Sequence, residues 1–243
     1  MLFIFRDIIR QDNNIQNYIK DTYGSDIQIR YSNVGFIVIP NYSNHIIKYY
    51  LSDSYMSDKT GNEKRFSVYE KEKNNYDFFL KNNVLIPKYI SSGDVKIGNY
   101  IFKYAKIENI RRLSKKIVNF SELDINKFAN FIKKIHTLKS GYIHGSIHTS
   151  DFFLTKSGEI GIFDLVSYYK GYIEQDIARI CYGYFLESNF IKEFLIAYGM
   201  KEINLSKLLS EIYSLAKLHE INKNNFLKTI YLIVNLNNKS GNV

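Results

Sequence analysis

His144-Gly145-Ser146-Ile147-His148-Thr149-Ser150-Asp151, followed by Gly161-Ile162-Phe163-Asp164, is the stretch whose reading decides the fold. It sets two carboxylates, Asp151 and Asp164, 13 residues apart around a hairpin signal at Lys156-Ser157-Gly158. Asp164 closes the apolar run Ile160-Gly161-Ile162-Phe163, and a carboxylate there needs a metal or strong donors nearby. Carboxylate oxygen is a hard ligand that suits Mg²⁺. A strand-ending Asp that caps a turn is the plainer alternative. His144 and His148 stand at the i, i+4 spacing of zinc ligands on one helix face. Gly145 between them and the lack of a helix signal argue against that use.

The strongest amphipathic helix precedes this stretch. Ile125, Phe128, Phe131, Ile132, Ile135 and Leu138 recur at helical spacing behind Ser121 or Asp124, either of which suits an N-cap. His136 inside that helix reads as a buried or half-buried histidine. Everything after about residue 174 reads as helix, most clearly 190–198 and 205–219. The N-terminal half reads differently. Apolar positions from Phe5 to Ile19 predict a helical extension over about 5–23, ending near Gly24. Three short β-like runs follow at 27–31, 35–39 and 45–51, punctuated by Asn, Ser and Pro in the manner of antiparallel hairpins. Residues 53–64 are polar and read as loop, and Phe66, Tyr69, Tyr76, Phe79 and Leu80 predict a helix up to Asn82-Asn83. Tyr89-Ile90, a turn at Ser91-Ser92-Gly93 and the apolar run 99–105 complete this half. A mostly β half followed by a mostly α half is an α+β chain of two lobes.

At 243 residues the chain is long enough for one bilobal domain. Its single cysteine, Cys181, excludes an internal disulfide and fits a reducing, cytoplasmic compartment. The apolar start Met1-Leu2-Phe3-Ile4-Phe5 is cut by Arg6 and Asp7, too soon for a signal peptide or a membrane span. The run Ile230-Tyr231-Leu232-Ile233-Val234 is strand- or core-length and equally short. The net charge of +9 is scattered, its densest groups being Arg111-Arg112 with Lys115-Lys116, and Lys133-Lys134. No nucleic-acid motif accompanies it, so no nucleic-acid partner is expected.

The opening stretch resembles the catalytic and metal-binding loops of kinase-like phosphotransferases of the aminoglycoside and choline kinase type. Those carry His-Gly-Asp-x-x-x-x-Asn and then a hydrophobic strand ending in Asp. Within that superfamily the chain is most similar to the lipopolysaccharide core heptose kinases, over roughly residues 30–200. The helix end Ile135-His136-Thr137-Leu138, the strand Phe152-Phe153-Leu154 and the element Asp176-Ile177-Ala178-Arg179 carry the likeness further. The resemblance implies a bilobal protein-kinase-like domain over 1–243. Its N-lobe, about 25–105, is mostly β with one key helix. Its C-lobe, about 106–243, is mostly α.

It also implies ATP, Mg²⁺ and an acceptor hydroxyl on a sugar, a lipid-linked glycan or another small molecule. Lys48, on the third run, takes the phosphate-binding position, with Glu72 on the next helix as its partner and Glu70 as the competitor. Gly35 lies where a loop would cover the phosphates, and Tyr104 and Ala105 fall on the nucleotide side. Asp151 and Asp164 become metal ligands, while His144 and Asp176 support the catalytic loop. Two departures stand out. Ser146 holds the position of the proton-accepting Asp, and Asp151 holds that of the Asn. Serine cannot take a proton at neutral pH, so two readings follow. One is a phosphotransferase that tolerates Ser146. The other is a pseudokinase that binds nucleotide or a protein partner. A lipid-linked acceptor would place the protein at the inner face of a membrane, with Arg111, Arg112, Lys115 and Lys116 toward the lipid.

Overall fold

The computed structural model describes residues 2–32, 35–51, 68–110, 115–117, 123–145, 147–182, 188–218 and 223–240. The chain divides into two compact units, Met1–Ser114 and Lys115–Val243. The loop expected at 53–64 lies outside the described residues, as do Ser146 and the pair Arg111-Arg112.

The first unit is an antiparallel sheet with helices on both faces. The expected extension forms two helices rather than one, α1 (Leu2–Gln11) and α2 (Asn13–Tyr23). Asp12 divides them, because its carboxylate accepts from the backbone N–H groups of Asn14 and Ile15 and so starts a new helix. Strands β1 (Ile27–Ser32), β2 (Gly35–Pro40) and β3 (His45–Leu51) follow as consecutive hairpins, then helix α3 (Val68–Lys81). Strands β4 (Tyr89–Ile97) and β5 (Tyr100–Glu108) close a five-stranded sheet of order β1-β2-β3-β5-β4. The turn expected at Ser91-Ser92-Gly93 is strand instead. Those residues pair with Lys106, Ala105 and Tyr104 past a bulge at Tyr89/Ser91. The reversal comes at Gly98, whose φ of 57° suits glycine.

Alternation along β3 sends its residues to two faces. Ile47, Tyr49 and Leu51 enter a core with Ile9, Ile15 and Ile19 of the N-terminal helices and with Phe36 and Phe102. Tyr50 enters a smaller cluster with Tyr69 of α3 and with Ala105 and Ile107 of β5. Lys48 and Tyr50 therefore share the α3 face.

The second unit is mainly helical. A short strand β6 (Lys115–Lys116) precedes helix α4 (Ile125–Leu138), which starts where Asp124 caps the N–H of Lys127. Strand β7 (Tyr142–Ile143), strands β8 (Phe152–Leu154) and β9 (Ile160–Ile162), and strand β10 (Tyr169–Lys170) follow. The hairpin β8–β9 pairs Phe152 with Ile162, and β10 returns to pair Tyr169 with Ile143. Helices α5 (Ile173–Tyr182), α6 (Ser188–Tyr198), α7 (Leu205–Leu218) and α8 (Lys223–Ser240) complete the unit. The apolar run Ile230 to Val234 sits within α8, with Ile233 buried and Tyr231 exposed. Phe128 of α4 joins the halves of this core, edge-on to Phe152 at 5.3 Å and tilted against Phe194 at 5.7 Å.

Candidate functional site

In the first unit, Lys48 and Glu72 meet. The ammonium of Lys48 lies 2.5 Å from Glu72 Oε1, with the two side chains 14% and 4% exposed. An ion pair this enclosed is weakly screened, and either partner alone would be costly. The second carboxylate oxygen of Glu72 accepts a hydrogen bond from the phenol of Tyr50. Burial and then the Glu72 charge hold the Tyr50 pKa well above its usual value, so the phenol acts as a donor. Glu70 lies toward the surface, 3.9 Å from Lys103 rather than on Lys48. Ala105 is the β5 partner of Lys48 and is buried on the same face. The side chain of Tyr104 lies on the opposite face, 6.3 Å from the Tyr49 ring, and β5 continues past Ala105 to Glu108. Gly35 opens β2. A Cβ there would stand 1.8 Å from the Tyr49 carbonyl oxygen, so close strand approach already requires glycine.

In the second unit, Asp176 of α5 is fully buried and reaches back to the loop after β7. Its Oδ2 accepts from the His144 N–H at 2.8 Å and contacts His136 Nε2 at 3.1 Å. Its Oδ1 accepts from the Gly145 N–H at 2.8 Å. His136 is itself held by the Tyr198 hydroxyl at 2.8 Å. One carboxylate thus fixes two successive peptides of the loop. The His144 side chain is buried, and its ring nitrogens make no well-aligned hydrogen bond among the described residues. Burial lowers its pKa, against the opposing pull of Asp176 and of Asp164 with its backbone. Gly145 has φ 80°, and a Cβ there would stand 1.9 Å from the Tyr169 ring.

Asp151 ends a 3-10 turn, Thr149–Asp151, and Oδ2 accepts from the His148 N–H at 2.8 Å. Its carbonyl accepts from the Phe163 N–H at 2.9 Å, tying it to the strand end that carries Asp164. Burial pushes the Asp151 pKa up to about 7, and the charges of Asp164 and Asp176 add to that rise. Asp164 itself is exposed. The chain leaves the buried β9 and turns outward at Asp164 with φ 64°, an uncommon conformation for a residue other than glycine. It precedes the 3-10 turn Leu165–Ser167 without capping it through its side chain, so the plain turn-capping role is not what places it there. His148 is half-buried, and burial with the nearby Arg179 charge lowers its pKa. Among the described residues no cluster of three or more metal-binding side chains occurs.

No protein-family model matches the chain, and no curated protein matches it in sequence. Solved structures do match its fold. A choline kinase from Streptococcus pneumoniae aligns with a TM-score of 0.53 at 11% identity, over 92% of this chain and 100% of that one. The chain has a kinase-like phosphotransferase fold. A spectinomycin phosphotransferase in complex with ADP and spectinomycin aligns at 0.52 and 12% identity, over 93% and 94% of the two chains. WaaP in complex with acyl carrier protein aligns at 0.56 and 12% identity, over 86% and 95%. Five antiparallel strands followed by a mostly helical part are the α+β order expected of this fold.

Three participants carry no clear mark in the sequence. Tyr50 is one, although its i+2 spacing from Lys48 on a strand places it on the same face. His136 is the second. Its helical position gives burial but not the partner, since Asp176 lies 40 residues on. Tyr169, seated on Gly145, is the third, and nothing local signals that contact.

Proposed function

We propose that the chain is an ATP- and Mg²⁺-dependent phosphotransferase that passes the γ-phosphoryl group to a hydroxyl of a sugar or another small molecule. The observation that carries this reading is the enclosed Lys48–Glu72 pair in a kinase-like fold. Phosphoryl transfer asks a protein mainly for positioning and charge neutralisation, and a lysine fixed by a carboxylate supplies a cation for nucleotide phosphates. The likeness to a phosphotransferase holding ADP supports a nucleotide in this role. Gly35 and Ala105, with the backbone of Tyr104, belong to the nucleotide side in this reading.

The donor set of the second unit fits Mg²⁺. That ion takes one or two carboxylates and completes its shell with water and phosphate, so Asp151 and Asp164 suffice. Burial raises the Asp151 pKa and two nearby carboxylates add to the rise, so a cation there would relieve a buried charge. When bound, Mg²⁺ would neutralise charge on the phosphate oxygens. Asp176, with His136 behind it, holds the loop backbone at His144 and Gly145, immediately before Ser146. Transfer joins the acceptor oxygen to the γ-phosphorus and breaks the bond to the bridging oxygen, releasing ADP. The hydroxyl proton leaves late in a loose transition state, to water or a phosphoryl oxygen, so the absence of a carboxylate at Ser146 slows the step by roughly 10²–10⁴ rather than forbidding it.

Ser146 favours a second reading, a pseudokinase that binds nucleotide and serves a protein partner. The WaaP likeness, solved with acyl carrier protein, offers a precedent for a protein partner on this fold. Among the described residues no helix is long and apolar enough to cross a membrane. A cytoplasmic setting, with the inner membrane face for a lipid-linked acceptor, belongs to the first reading. Calorimetric titration with ATP, with and without Mg²⁺, tests the shared part. Mg²⁺-dependent binding that is lost in Asp164→Asn and Lys48→Ala is the expected result, and ATP binding in neither condition would end both nucleotide readings. Ser146→Asp then separates them, because a large gain in transfer means a pocket otherwise competent.

A further inference from the structure

We infer that Tyr50 is a positioning residue of the nucleotide site, holding one oxygen of Glu72 so that the other is fixed on Lys48 before any nucleotide arrives. This rests on the proposed role of Lys48. The three groups form a closed chain of contacts. Lys48 and Tyr50 are two residues apart on β3, hence on one face, and each takes a different oxygen of the same carboxylate. Glu72 comes from α3, so the two contacts pin the helix to the strand at two points and remove the freedom of the carboxylate to rotate. A lysine held by one contact alone would sweep over several rotamers, whereas a carboxylate locked at both oxygens presents the ammonium in a single place.

The surroundings of Tyr50 support a specific role rather than general packing. Its ring is buried edge-on to Tyr69 at 5.7 Å, and the Tyr69 hydroxyl accepts from that of Tyr89 at 3.2 Å. Among the described residues, the hydrogen bonds to the Glu72 carboxylate come from Lys48 and Tyr50. A cavity of about 10 Å³ lies beside the pair, lined by Lys48, Tyr50, Glu72, Tyr76 and Tyr89, close to the smallest space that holds one water. Loss of the Tyr50 hydroxyl would enlarge that space and leave a buried carboxylate oxygen short of a donor. Movement of Glu72, and with it Lys48, is the consequence.

The test is calorimetric titration of Mg²⁺-ATP into the full chain and its variants, with melting temperatures recorded beside the affinities. Tyr50→Phe should weaken nucleotide binding about tenfold, the worth of a hydrogen bond to a charged group. Tyr69→Phe, which removes a phenol of the same cluster that does not touch Glu72, should leave affinity within about twofold. Equal losses in both variants, or a fall in melting temperature with affinity unchanged in Tyr50→Phe, would overturn the inference and leave Tyr50 as packing. A cycle with Glu72→Ala keeps the question open to refutation even where Tyr50→Phe alone folds poorly, because that background removes the stranded carboxylate. Adding Tyr50→Phe to Glu72→Ala should change nothing, and a further loss of affinity would again overturn it. Lys48→Ala separates the two levels. If it binds Mg²⁺-ATP as tightly as the parent, the nucleotide role of Lys48 fails and this inference falls with it. If it loses binding while Tyr50→Phe does not, only the inference about Tyr50 fails.

Discussion

The two units solve opposite electrostatic problems. In the first, Lys48, Glu72 and Tyr50 satisfy one another: a cation, a carboxylate and a donor close the charge within the protein. In the second, burial above all, with the charges of Asp164 and Asp176 adding to it, pushes the Asp151 pKa up to about 7. Asp176 is answered by two backbone N–H groups and His136, but Asp151 by the His148 N–H and a long contact from the Ser150 hydroxyl at 3.4 Å. The comparison teaches how differently two buried carboxylates are answered by their surroundings. The first cluster answers its carboxylate with internal partners, while the second leaves Asp151 buried near two further carboxylates.

The largest effect should come from the fully satisfied carboxylate. Asp176→Ala strands the N–H groups of His144 and Gly145 and the His136 ring in a buried place, and each buried unpaired donor costs about 1–3 kcal/mol. A loss of about 3–5 kcal/mol in denaturant unfolding of the full chain is expected. A loss below about 1 kcal/mol would mean that the loop is held by something else. Next in size is Lys48→Met, which keeps the apolar stem and removes the ammonium. Glu72 then keeps only Tyr50, and about 2–4 kcal/mol should be lost at neutral pH. Recovery of most of that loss in the Lys48→Met/Glu72→Gln double variant would show that the stranded carboxylate is its source. An unrecovered loss would point to packing of the stem.

Asp151→Asn should act in the other direction. A carboxyl whose folded pKa is raised binds its proton more tightly folded than unfolded. Its contribution is therefore favourable at low pH and is lost as pH rises from about 4 through about 7. Above that window the native protein carries a buried charge that the amide does not. Without Mg²⁺, the variant should be more stable than the parent by about 1–3 kcal/mol at pH 8 and no more stable at pH 4. Equal stability of the two proteins at pH 8 would remove the surplus charge from the comparison. If Mg²⁺ binds as proposed, the difference at pH 8 should shrink, because the ion relieves a buried carboxylate more than it relieves an amide.

Much of the fold is legible in the sequence. Helix α4 and its Asp124 cap, the hairpins of β1 to β3 and the β8–β9 hairpin follow from period and punctuation, because their contacts are local. Ser91-Ser92-Gly93 misled because turn-forming residues at a sheet edge are tolerated in a strand when a bulge absorbs the irregularity, and only the β5 register reveals that. Asp12 misled in reverse. A helix cap inside a continuous apolar pattern breaks the helix without changing the period. At the candidate site, Lys48, Glu72 and Asp176 could be singled out one by one from motif spacing. Which oxygen each donor takes, and that His136 and Tyr50 stand behind them, depends on contacts over 22 to 40 residues that no local pattern encodes.

Gly145→Ala sharpens the comparison at its finest grain, because it separates backbone strain from crowding in the loop that Asp176 holds. At φ 80° any residue with a Cβ is strained by roughly 1–2 kcal/mol. The added methyl would also stand 1.9 Å from the Tyr169 ring, a contact that must be relieved by moving one or the other. Tyr169 sits partly exposed on the short strand β10 and the peptide of Gly145 is tethered to Asp176, so the ring is expected to yield before the peptide does. The expected loss is therefore about 1–2 kcal/mol, set by the backbone rather than by the clash. In a Tyr169→Ala background the loss should persist nearly unchanged. If it vanishes there, the ring and not the φ angle demands glycine, and Tyr169 is held as firmly as the loop beneath it.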